Sequence, residues 1–539
     1  MTPHAKPCGG CRDTAGEGTA RAQGQSATEG DDSALKHEQG KSAPAVSEDM
    51  TPDSMMAGDV AVSSGQMAKR RVAQGDGEEA SPSITPPQGE TPAGLTRHLL
   101  PWLPVVAALL LAANALRRDA WGLLGLWCVV GSLACTRQAW ARIVVALALC
   151  AGVVVWADTT QQFVSFRMMA GLPWGRLVAI MATVGGITAL SSLVLLGRAG
   201  EARYTSGRDM AGAQAWAALL TFAGLMWIRH ATGPLTPLLA DRLWPGSGMA
   251  QAALMAVYAA WAVGRLADPK LSRVWRPRLW ALFSFVFFMQ LALGLIGYDI
   301  FLMTGRLHLP VPALILAGPL YRGTGWFMLG LFTFSTLLLG AAWCSHLCYI
   351  GAWDDMASRR KRRCGTLPNH AGRVRLGIAL LVFGGAVALR LLGVGPVAAF
   401  TAAACFGLAG VGVMLAVSTR RGVLVHCTTY CPMGLLADVM GRLTPWRLQV
   451  DTGRCTRCGA CSAVCRYDAL TPADIEGGAA GFTCSRCRDC LAVCRHGAMR
   501  LTFAGRGIVG RLAGGVRAET IFVVIAVTLH AIFLAVARM

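Results

Sequence analysis

The amino-acid sequence predicts a mainly α-helical, polytopic membrane protein with about 11 transmembrane helices and a small inserted α+β domain. Two observations predict this fold class. Of the 539 residues, 54% are hydrophobic and only 15% are charged, well below the ~25% of soluble domains. A polar, cysteine-rich stretch, 455–494, separates the last apolar segment from the others. It is too dense in cysteine to be an ordinary loop and is the inserted domain.

Residues 1–97 are predicted to be a disordered N-terminal tail. They are rich in Gly, Ser, Ala, Thr, Pro and acidic residues and contain almost no aromatic side chain, so they cannot bury a core. The pair Cys8 and Cys11 lies here and is a weak motif, because no second pair or nearby histidine accompanies it.

Eleven apolar segments follow the tail, each near the ~20 residues that cross the hydrocarbon layer. They lie near 99–116, 120–135, 143–157, 177–197, 211–228, 249–266, 279–303, 326–343, 376–392, 397–417 and 520–537. The predicted domains are a six-helix membrane region of unassigned role at 98–270, a four-helix membrane core at 278–420, a linker at 421–447, the inserted domain at 448–506 and a C-terminal helix at 518–538.

The charge distribution predicts the orientation. The whole chain has a net charge of +20, but residues 1–97 are net negative at −5, so the remainder carries +25. This positive charge is grouped in loops such as 267–278 and in the run from Arg359 to Arg363. Positive loops face the cytoplasm, so the N-terminus and the cysteine-rich stretch are predicted to be cytoplasmic, in a multi-pass protein of the bacterial inner membrane. This placement favours a lipid bilayer over nucleic acid as the partner of the basic residues.

The cysteine-rich stretch contains two runs of C-x2-C-x2-C-x3-C. This doubled spacing is the ligand pattern of a two-cluster ferredoxin, in which the fourth cysteine of each run binds the other cluster. The predicted [4Fe–4S] ligand sets are Cys455, Cys458, Cys461 and Cys494 for one cluster, and Cys484, Cys487, Cys490 and Cys465 for the other. Disulfides and zinc are the alternatives. Neither is typical of this repeated spacing, since zinc sites usually use two separated C-x2-C pairs.

Two C-x3-C pairs follow apolar segments that end on the same predicted face. They are Cys344 with Cys348, and Cys427 with Cys431. Four thiolates could bind a third metal site or form two redox-active dithiols. Buried cysteines at helix ends, without a function, are the alternative.

Over about residues 279–505, the chain resembles the NapH/NosR/MauN-type membrane-bound polyferredoxins. The resemblance rests on two copies of the C-x3-C motif followed by the double ferredoxin pattern. The matching residues are Cys344, Cys348 and Gly351 in the first copy, and Cys427, Cys431, Pro432 and Gly434 in the second. It implies a membrane electron-transfer protein that passes electrons from quinol or cytoplasmic donors towards periplasmic reductases or maturation systems.

The chain departs from the family pattern at three positions. Tyr349 replaces the proline of the first C-x3-C motif, and Arg466 and Arg495 replace the proline that usually follows the fourth ferredoxin cysteine. Because prolines do not bind iron, the ligand sets should persist. The two arginines are expected to raise the reduction potentials of the adjacent clusters.

Several histidines are weaker candidates. His308 begins an interrupted apolar segment on the predicted outer side, which with Asp299 could bind a quinol; a structural loop that caps the bundle is the alternative. His530, alone in the last span, is weak support for haem, which is not expected. His346 and His426 lie next to the C-x3-C cysteines, where hydrogen bonding to the site is the favoured role.

The sequence therefore predicts an electron-transfer component and not a stand-alone catalyst. It would relay single electrons between a quinol or cytoplasmic donor and a respiratory or periplasmic redox partner. An accessory factor that supports maturation of a partner metalloenzyme, and a redox sensor, are the alternatives.

Overall fold

Helices make up most of the computed structural model, which describes residues 102–233, 236–302, 309–504 and 518–536. Cys8, Cys11 and His308 lie outside these residues. The first group of elements contains α1 (Leu103–Arg117), α2 (Trp121–Cys135), α3 (Ala139–Met169), α4 (Gly175–Leu196), α5 (Arg198–Arg203), α6 (Ala211–Ala231), α7 (Leu239–Leu243) and α8 (Gly248–Leu266). Its core is rich in alanine, with Ala107, Ala141, Ala217 and Ala259 fully buried. Small side chains let these helices approach closely.

The second group surrounds the C-x3-C motifs. It contains α9 (Pro269–Leu295), α10 (Leu314–Arg322), α11 (Phe327–Leu339), α12 (Trp343–His346), α13 (Tyr349–Ser358), α14 (Ala371–Leu391), α15 (Pro396–Val413), α16 (Thr419–Arg421) and α17 (Pro432–Gly441). Two π-helical turns, Met414–Ser418 and His426–Tyr430, precede α16 and α17. Such turns are frequent near functional sites.

The inserted domain and the last helix complete the chain. They contain β1 (Trp446–Val450), α18 (Ala460–Val464), α19 (Pro472–Glu476), α20 (Asp489–Val493), β2 (Met499–Phe503) and α21 (Ala518–Val536). The strands pair antiparallel, with Trp446 opposite Phe503 and Val450 opposite Met499. Alternate residues of β1 face a core shared with the cysteine loops.

Within the described residues, nine helices are long and apolar enough to cross a membrane. They span Ala139–Met169, Gly175–Leu196, Arg208–Ala231, Gly248–Leu266, Pro269–Leu295, Phe327–His346, Ala371–Leu391, Pro396–Arg421 and Ala518–Val536. The prediction of a mainly helical, multi-pass membrane protein is confirmed. The prediction of about 11 spans is not, because α1 and α2 are shorter, at 15 residues each.

The segment 267–278, predicted as a cytoplasmic loop, is instead the start of α9. Asp268 caps the helix by accepting a hydrogen bond from the Lys270 N–H at 2.9 Å, and Pro269 occupies the first helical position, which its fixed φ favours. Hydropathy places this charged segment outside the apolar span. It cannot detect that the side chain of Arg276 is buried by tertiary contacts. Because α9 is continuous from Pro269 to Leu295, it crosses the boundary predicted between the six-helix region and the four-helix core at 270–278.

The inserted domain is fastened to the helices through its first strand. The Trp446 side chain is buried, its indole N–H donates to the Leu338 carbonyl at 2.7 Å, and its ring packs against Phe522 on α21 with centroids 5.5 Å apart. The domain therefore lies against the ends of α11 and α21.

Candidate iron–sulfur centres

The two cysteine loops of the inserted domain have the same backbone conformation. Arg457 and Arg486, each just before the second cysteine, have φ of 53° and 56°, and Gly459 and Arg488, each just after it, both have φ of 70°. Left-handed conformations are rare for residues other than glycine. Their recurrence at matching positions shows that the second run repeats the loop of the first.

Four cysteines line a small cavity in this domain. They are Cys484, Cys487 and Cys490 of the second run and Cys465, the last cysteine of the first run, with Tyr467 on the same wall. This is the grouping expected for one two-cluster ligand set. We call this cavity the inner site.

The thiols of the inner site are in an environment that disfavours an unpaired thiolate. Burial raises the pKa of the Cys484 thiol, raises that of Cys487 to about 12, and raises that of Cys490 well above its usual value, with neighbouring thiols adding to the shift of Cys490. Thiolates are the form that binds metal, and a cationic iron core would supply the missing positive charge. Four convergent sulfurs around a cavity fit a [4Fe–4S] cluster. Across the described ranges, no group of three or more His, Cys, Asp or Glu is placed to hold a single metal ion.

The remaining ferredoxin cysteines form a more open set, the outer site. Cys455, Cys461 and Cys494 are partly buried against the core of the domain, whereas Cys458 is exposed. The backbone N–H of Ala460 lowers the pKa of the Cys458 thiol, as do weaker interactions that include the nearby Arg495. A cluster held here would have one edge at the protein surface.

The C-x3-C motifs form two matching helix starts. Cys348 is the N-cap of α13 and Cys431 the N-cap of α17, with ψ of 116° and 118°. The backbone N–H groups two and three residues later act to lower the pKa of each thiol, against the larger effect of burial, which raises it. Helix N-termini favour negative charge, so both positions are suited to a thiolate or a thiolate-bound metal centre.

A glycine three residues after the second cysteine makes each motif compact. A Cβ on Gly351 would lie 2.8 Å from the Cys344 carbonyl oxygen, and a Cβ on Gly434 would overlap the Cys427 carbonyl oxygen. A larger residue would push the first cysteine of each motif away. The glycines noted in the sequence are therefore required by close backbone approach.

The four C-x3-C cysteines are buried and lie near one another. Burial raises the pKa of the Cys427 thiol well above its usual value, and the next largest contributions come from Asp354, Cys348, Cys344 and Cys431. The second motif thus interacts with both cysteines of the first. We call this set the membrane-edge site.

Sequence reasoning missed the charged residues that support the membrane-edge site. Arg375 on α14 forms a buried ion pair with Asp438 at 2.7 Å and donates to the Cys427 carbonyl at 3.4 Å, while Asp354 accepts a hydrogen bond from the Cys427 N–H at 3.0 Å. One signal was available: Asp355 and Asp438 each lie seven residues after the second cysteine of their motif.

A second buried arginine joins the inner site to the first C-x3-C motif. Arg276 on α9 donates to the Ser345 carbonyl at 3.2 Å and forms an ion pair with Asp489 at 3.0 Å, next to the inner-site cysteines. One helical turn later, the Trp280 indole donates to the Cys348 carbonyl at 2.7 Å. One face of α9 therefore contacts both sites.

Two aromatic residues lie between the inner site and the membrane-edge site. Tyr467 and Trp280 form a buried cluster with Cys427, and Cys465 and Cys487 pack against it. Protein side chains in contact thus connect one cysteine of the membrane-edge site to two cysteines of the inner site.

The replacement arginine of the first run has a structural role. Arg466 donates to the backbone carbonyls of Ser358 at 2.7 Å and Gly422 at 3.0 Å. It holds the inserted domain against the ends of α13 and α16. Arg495, at the matching position of the second run, is exposed.

The weaker candidates from the sequence, Asp299, His530 and His426, do not come together in one site. Asp299 is in a one-turn 3₁₀-helix, Asp299–Phe301, and its expected partner is outside the described residues. His530 uses both ring nitrogens, with Nδ1 3.1 Å from the His346 carbonyl and Nε2 3.0 Å from the Tyr258 hydroxyl. His426 is buried next to Gly410 and Tyr430.

Comparison with protein families gives two matches, both described as 4Fe-4S binding domains. One covers 448–471, which contains the first ferredoxin run. The other covers 322–366 and 403–450, which contain the two C-x3-C motifs. The comparisons with curated proteins and with solved structures each gave no significant match.

The family matches agree with the cysteine chemistry described above. Both describe binding of a 4Fe-4S group, and the apolar helices indicate a bilayer around the helical part. The chain is therefore a membrane protein of the ferredoxin type that binds 4Fe–4S iron–sulfur groups and takes part in electron transport.

Proposed function

We propose that this protein is a membrane-anchored relay that moves single electrons between a quinol or cytoplasmic donor and a respiratory or periplasmic redox partner. The observation that carries this proposal is the contact between cysteine sets. Tyr467 and Trp280 pack between the inner site and the membrane-edge site, and the latter lies at the ends of apolar helices. A carrier that only diffuses in the cytoplasm has no need of this arrangement.

The proposed ligand sets follow the doubled spacing. Cys455, Cys458, Cys461 and Cys494 hold one [4Fe–4S] cluster at the outer site, and Cys484, Cys487, Cys490 and Cys465 hold the second at the inner site. When bound, each cluster supplies one-electron redox chemistry. The chain positions the sulfurs, limits the access of water to the inner site and supplies the neighbouring charges.

We further propose that Cys344, Cys348, Cys427 and Cys431 hold a third iron–sulfur cluster. Support comes from the four buried thiols, from the placement of two of them at helix N-termini, and from a 4Fe-4S family match that covers both motifs. The buried Arg375 would balance part of the negative charge of such a centre.

The finer identity also belongs to this proposal. The two C-x3-C motifs and the ferredoxin runs support the NapH/NosR/MauN-type membrane-bound polyferredoxins as the group to which the chain is related. The basic run Arg359–Arg363 supports a location in the bacterial inner membrane with the inserted domain in the cytoplasm. The domain divisions predicted from the sequence remain part of this proposal, except the division at 270–278, which α9 (Pro269–Leu295) crosses.

An iron count with electron paramagnetic resonance tests the ligand sets. Anaerobically purified, full-length protein should contain about twelve iron atoms per chain, since each of three clusters holds four. Replacing Cys344 and Cys427 with serine should remove about four iron atoms and leave the two ferredoxin signals. About eight iron atoms in the parent protein would exclude the third cluster, and loss of the ferredoxin signals in the variant would contradict the assignments.

Rapid reduction tests the relay. Protein in lipid nanodiscs is mixed with a reduced quinol analogue or with reduced methyl viologen, and the visible absorbance of the clusters is followed. We expect at least one donor to reduce the clusters within the turnover time of a respiratory chain. Clusters that accept electrons from neither donor would contradict a relay and favour a role in maturation of a partner.

A further inference from the structure

The two cysteine loops of the inserted domain have one backbone conformation but opposite surroundings. In the inner loop, the Arg486 side chain is buried and donates to the Gly441 carbonyl at 2.7 Å. Its counterpart in the outer loop, Arg457, is 73% exposed. The inner loop is therefore used for docking within the chain, whereas the outer loop presents the same chemistry to solvent.

The outer loop is surrounded by positive charge. Arg454, Arg457 and Arg495 are all exposed. Arg457 directly precedes Cys458 and Arg495 directly follows Cys494, so each arginine is adjacent in the chain to an outer-site cysteine. The neighbouring acidic groups are few. Asp451 lies 3.5 Å from Arg454, and Glu476 lies 3.3 Å from Arg457. Both pairs are solvent-exposed, and such pairs are weak and readily exchanged for another partner.

A second basic segment borders this surface. The loop after α13 carries Arg360, Lys361, Arg362 and Arg363, all exposed, and the Cys364 N–H hydrogen-bonds to the Ala463 carbonyl at 3.4 Å. This contact places the loop beside α18, which contains Cys461. We call the exposed residues Arg454, Arg457, Cys458 and Arg495, with the segment 360–363 beside them, the outer basic face.

We propose that the outer basic face is the docking surface for an acidic, soluble electron-carrier protein. This inference rests on the proposed function, because it assumes a redox-active cluster at the outer site. Cys458 is exposed and directly follows Arg457, so a carrier with an acidic rim around its own redox group would be oriented with the two redox groups close together. Complementary charge speeds such encounters and fixes their orientation.

The position of the face favours a protein over lipid headgroups. The opposite loop of the domain is the one fastened to the helices, through Arg276 and Asp489, and through Arg488 to the carbonyls of Leu266 and Ala267. Over the described ranges, neither Arg457 nor Arg495 has a hydrogen bond to a membrane helix. An exposed redox centre needs a partner that exchanges electrons, which a phospholipid cannot do.

The test compares two reductants on the full-length, cluster-loaded protein in nanodiscs of neutral phosphatidylcholine and, in parallel, in nanodiscs that also contain anionic phosphatidylglycerol. One is a fully reduced acidic bacterial flavodoxin, and the other is the small methyl viologen radical cation. In each encounter one electron leaves the donor and one cluster becomes reduced by one electron. The variants are Arg457→Glu/Arg495→Glu and the charge-matched control Arg198→Glu/Arg208→Glu, whose residues are also exposed.

We expect Arg457→Glu/Arg495→Glu to lower the second-order rate constant with flavodoxin about ten-fold or more at low salt, with a smaller loss at high salt because ions screen the attraction. The rate constant with methyl viologen should stay the same or rise, and the control should match the parent protein. If iron content falls in the glutamate variant, Arg457→Gln/Arg495→Gln gives the same comparison with a smaller expected loss.

Three results would overturn the inference: unchanged reduction by flavodoxin, an equal loss in the control, or an effect seen only in nanodiscs that contain anionic lipid. The last result would assign the arginines to lipid headgroups. Failure of both donors with the parent protein would instead contradict the relay itself, so the two proposals fail differently.

Discussion

At the scale of single residues, Arg488 shows how contacts between the inserted domain and the membrane helices can hold a residue in an unfavourable backbone conformation. It has φ of 70° at the position where the first run has Gly459, and a left-handed conformation costs a residue with a Cβ about 1 kcal/mol. The Arg488 side chain is 2% exposed, donates to the Leu266 carbonyl at 2.7 Å and to Ala267 at 2.9 Å, and forms an ion pair with Glu519. These contacts offset the backbone strain and tie the inner loop to two membrane helices.

Replacing Arg488 with glycine should therefore relax the backbone and remove the docking contacts. We expect the clusters to remain and the protein to lose about 3 kcal/mol of stability, since a buried ion pair is broken and Glu519 loses its partner. Denaturant titration in detergent with an iron assay measures both quantities. Arg457→Gly, in the exposed loop, is the matched control and should change stability little. Equal effects of the two variants would contradict the docking role.

At the scale of elements, α13 and α17 share one structural motif. Each begins at the second cysteine of a C-x3-C pair, carries a glycine against the first cysteine, and has an aspartate seven residues after the second. The supporting partners differ, because Asp438 pairs with Arg375 and Asp355 pairs with Arg359. The repetition places two helix N-termini at one group of thiols.

The Gly434→Ala variant tests the close approach in α17. The added Cβ would overlap the Cys427 carbonyl oxygen, so we expect that cysteine to shift and about four iron atoms to be lost while the ferredoxin signals remain. Iron analysis with electron paramagnetic resonance gives the answer. Gly384→Ala, on α14 where nothing lies within 4 Å of the added atom, should keep all its iron. A Gly434→Ala protein with full iron would show that the membrane-edge site tolerates the shift.

The buried pair Arg375–Asp438 permits a double-mutant cycle. Arg375→Met alone leaves a buried carboxylate without a partner and should destabilise the protein by about 3–5 kcal/mol. Combining it with Asp438→Asn removes that charge and should recover part of the loss, which denaturant titration would measure. If Asp438→Asn added its own full cost, the two residues would not be coupled.

At the scale of the whole molecule, the inserted domain has two unlike ends. Its inner end is held by Arg276, Arg486 and Arg488, all buried, whereas its outer end exposes Arg457 and Cys458. The order from solvent to helices is therefore outer site, inner site and membrane-edge site. A single polypeptide thus arranges three cysteine sets in sequence by docking one domain in a single orientation.

Removing a contact between the inserted domain and the helices should increase local opening in the inner loop and leave the outer loop unchanged. In Arg276→Met, Asp489 loses its nearer partner, at 3.0 Å, and keeps Arg359 at 3.6 Å. Hydrogen exchange should therefore rise at 484–494 and stay unchanged at 455–465, because local opening depends on local contacts. Arg273→Met on the same helix is the control, since Arg273 is exposed. Exchange that rises equally in both loops would show that the domain opens as one unit.

Local sequence signals were enough for much of this protein. Cysteine spacing identified the iron–sulfur chemistry, because cluster ligands in one loop are fixed by chain geometry over a few residues. Hydropathy located the nine long apolar helices of the described residues. Helix ends such as Pro269 were misplaced, because a hydropathy window cannot separate a charged loop from a charged helical turn.

By itself, the sequence determined the iron–sulfur chemistry, the mainly helical membrane fold and the presence of a ferredoxin-type domain. Only the tertiary structure decided which loop of that domain is buried, which is exposed, and which charges support the membrane-edge site. The physical reason is distance along the chain. Asp489 meets Arg276 from 213 residues away and Cys427 meets Asp354 from 73 residues away, and these contacts exist only when separate helices pack.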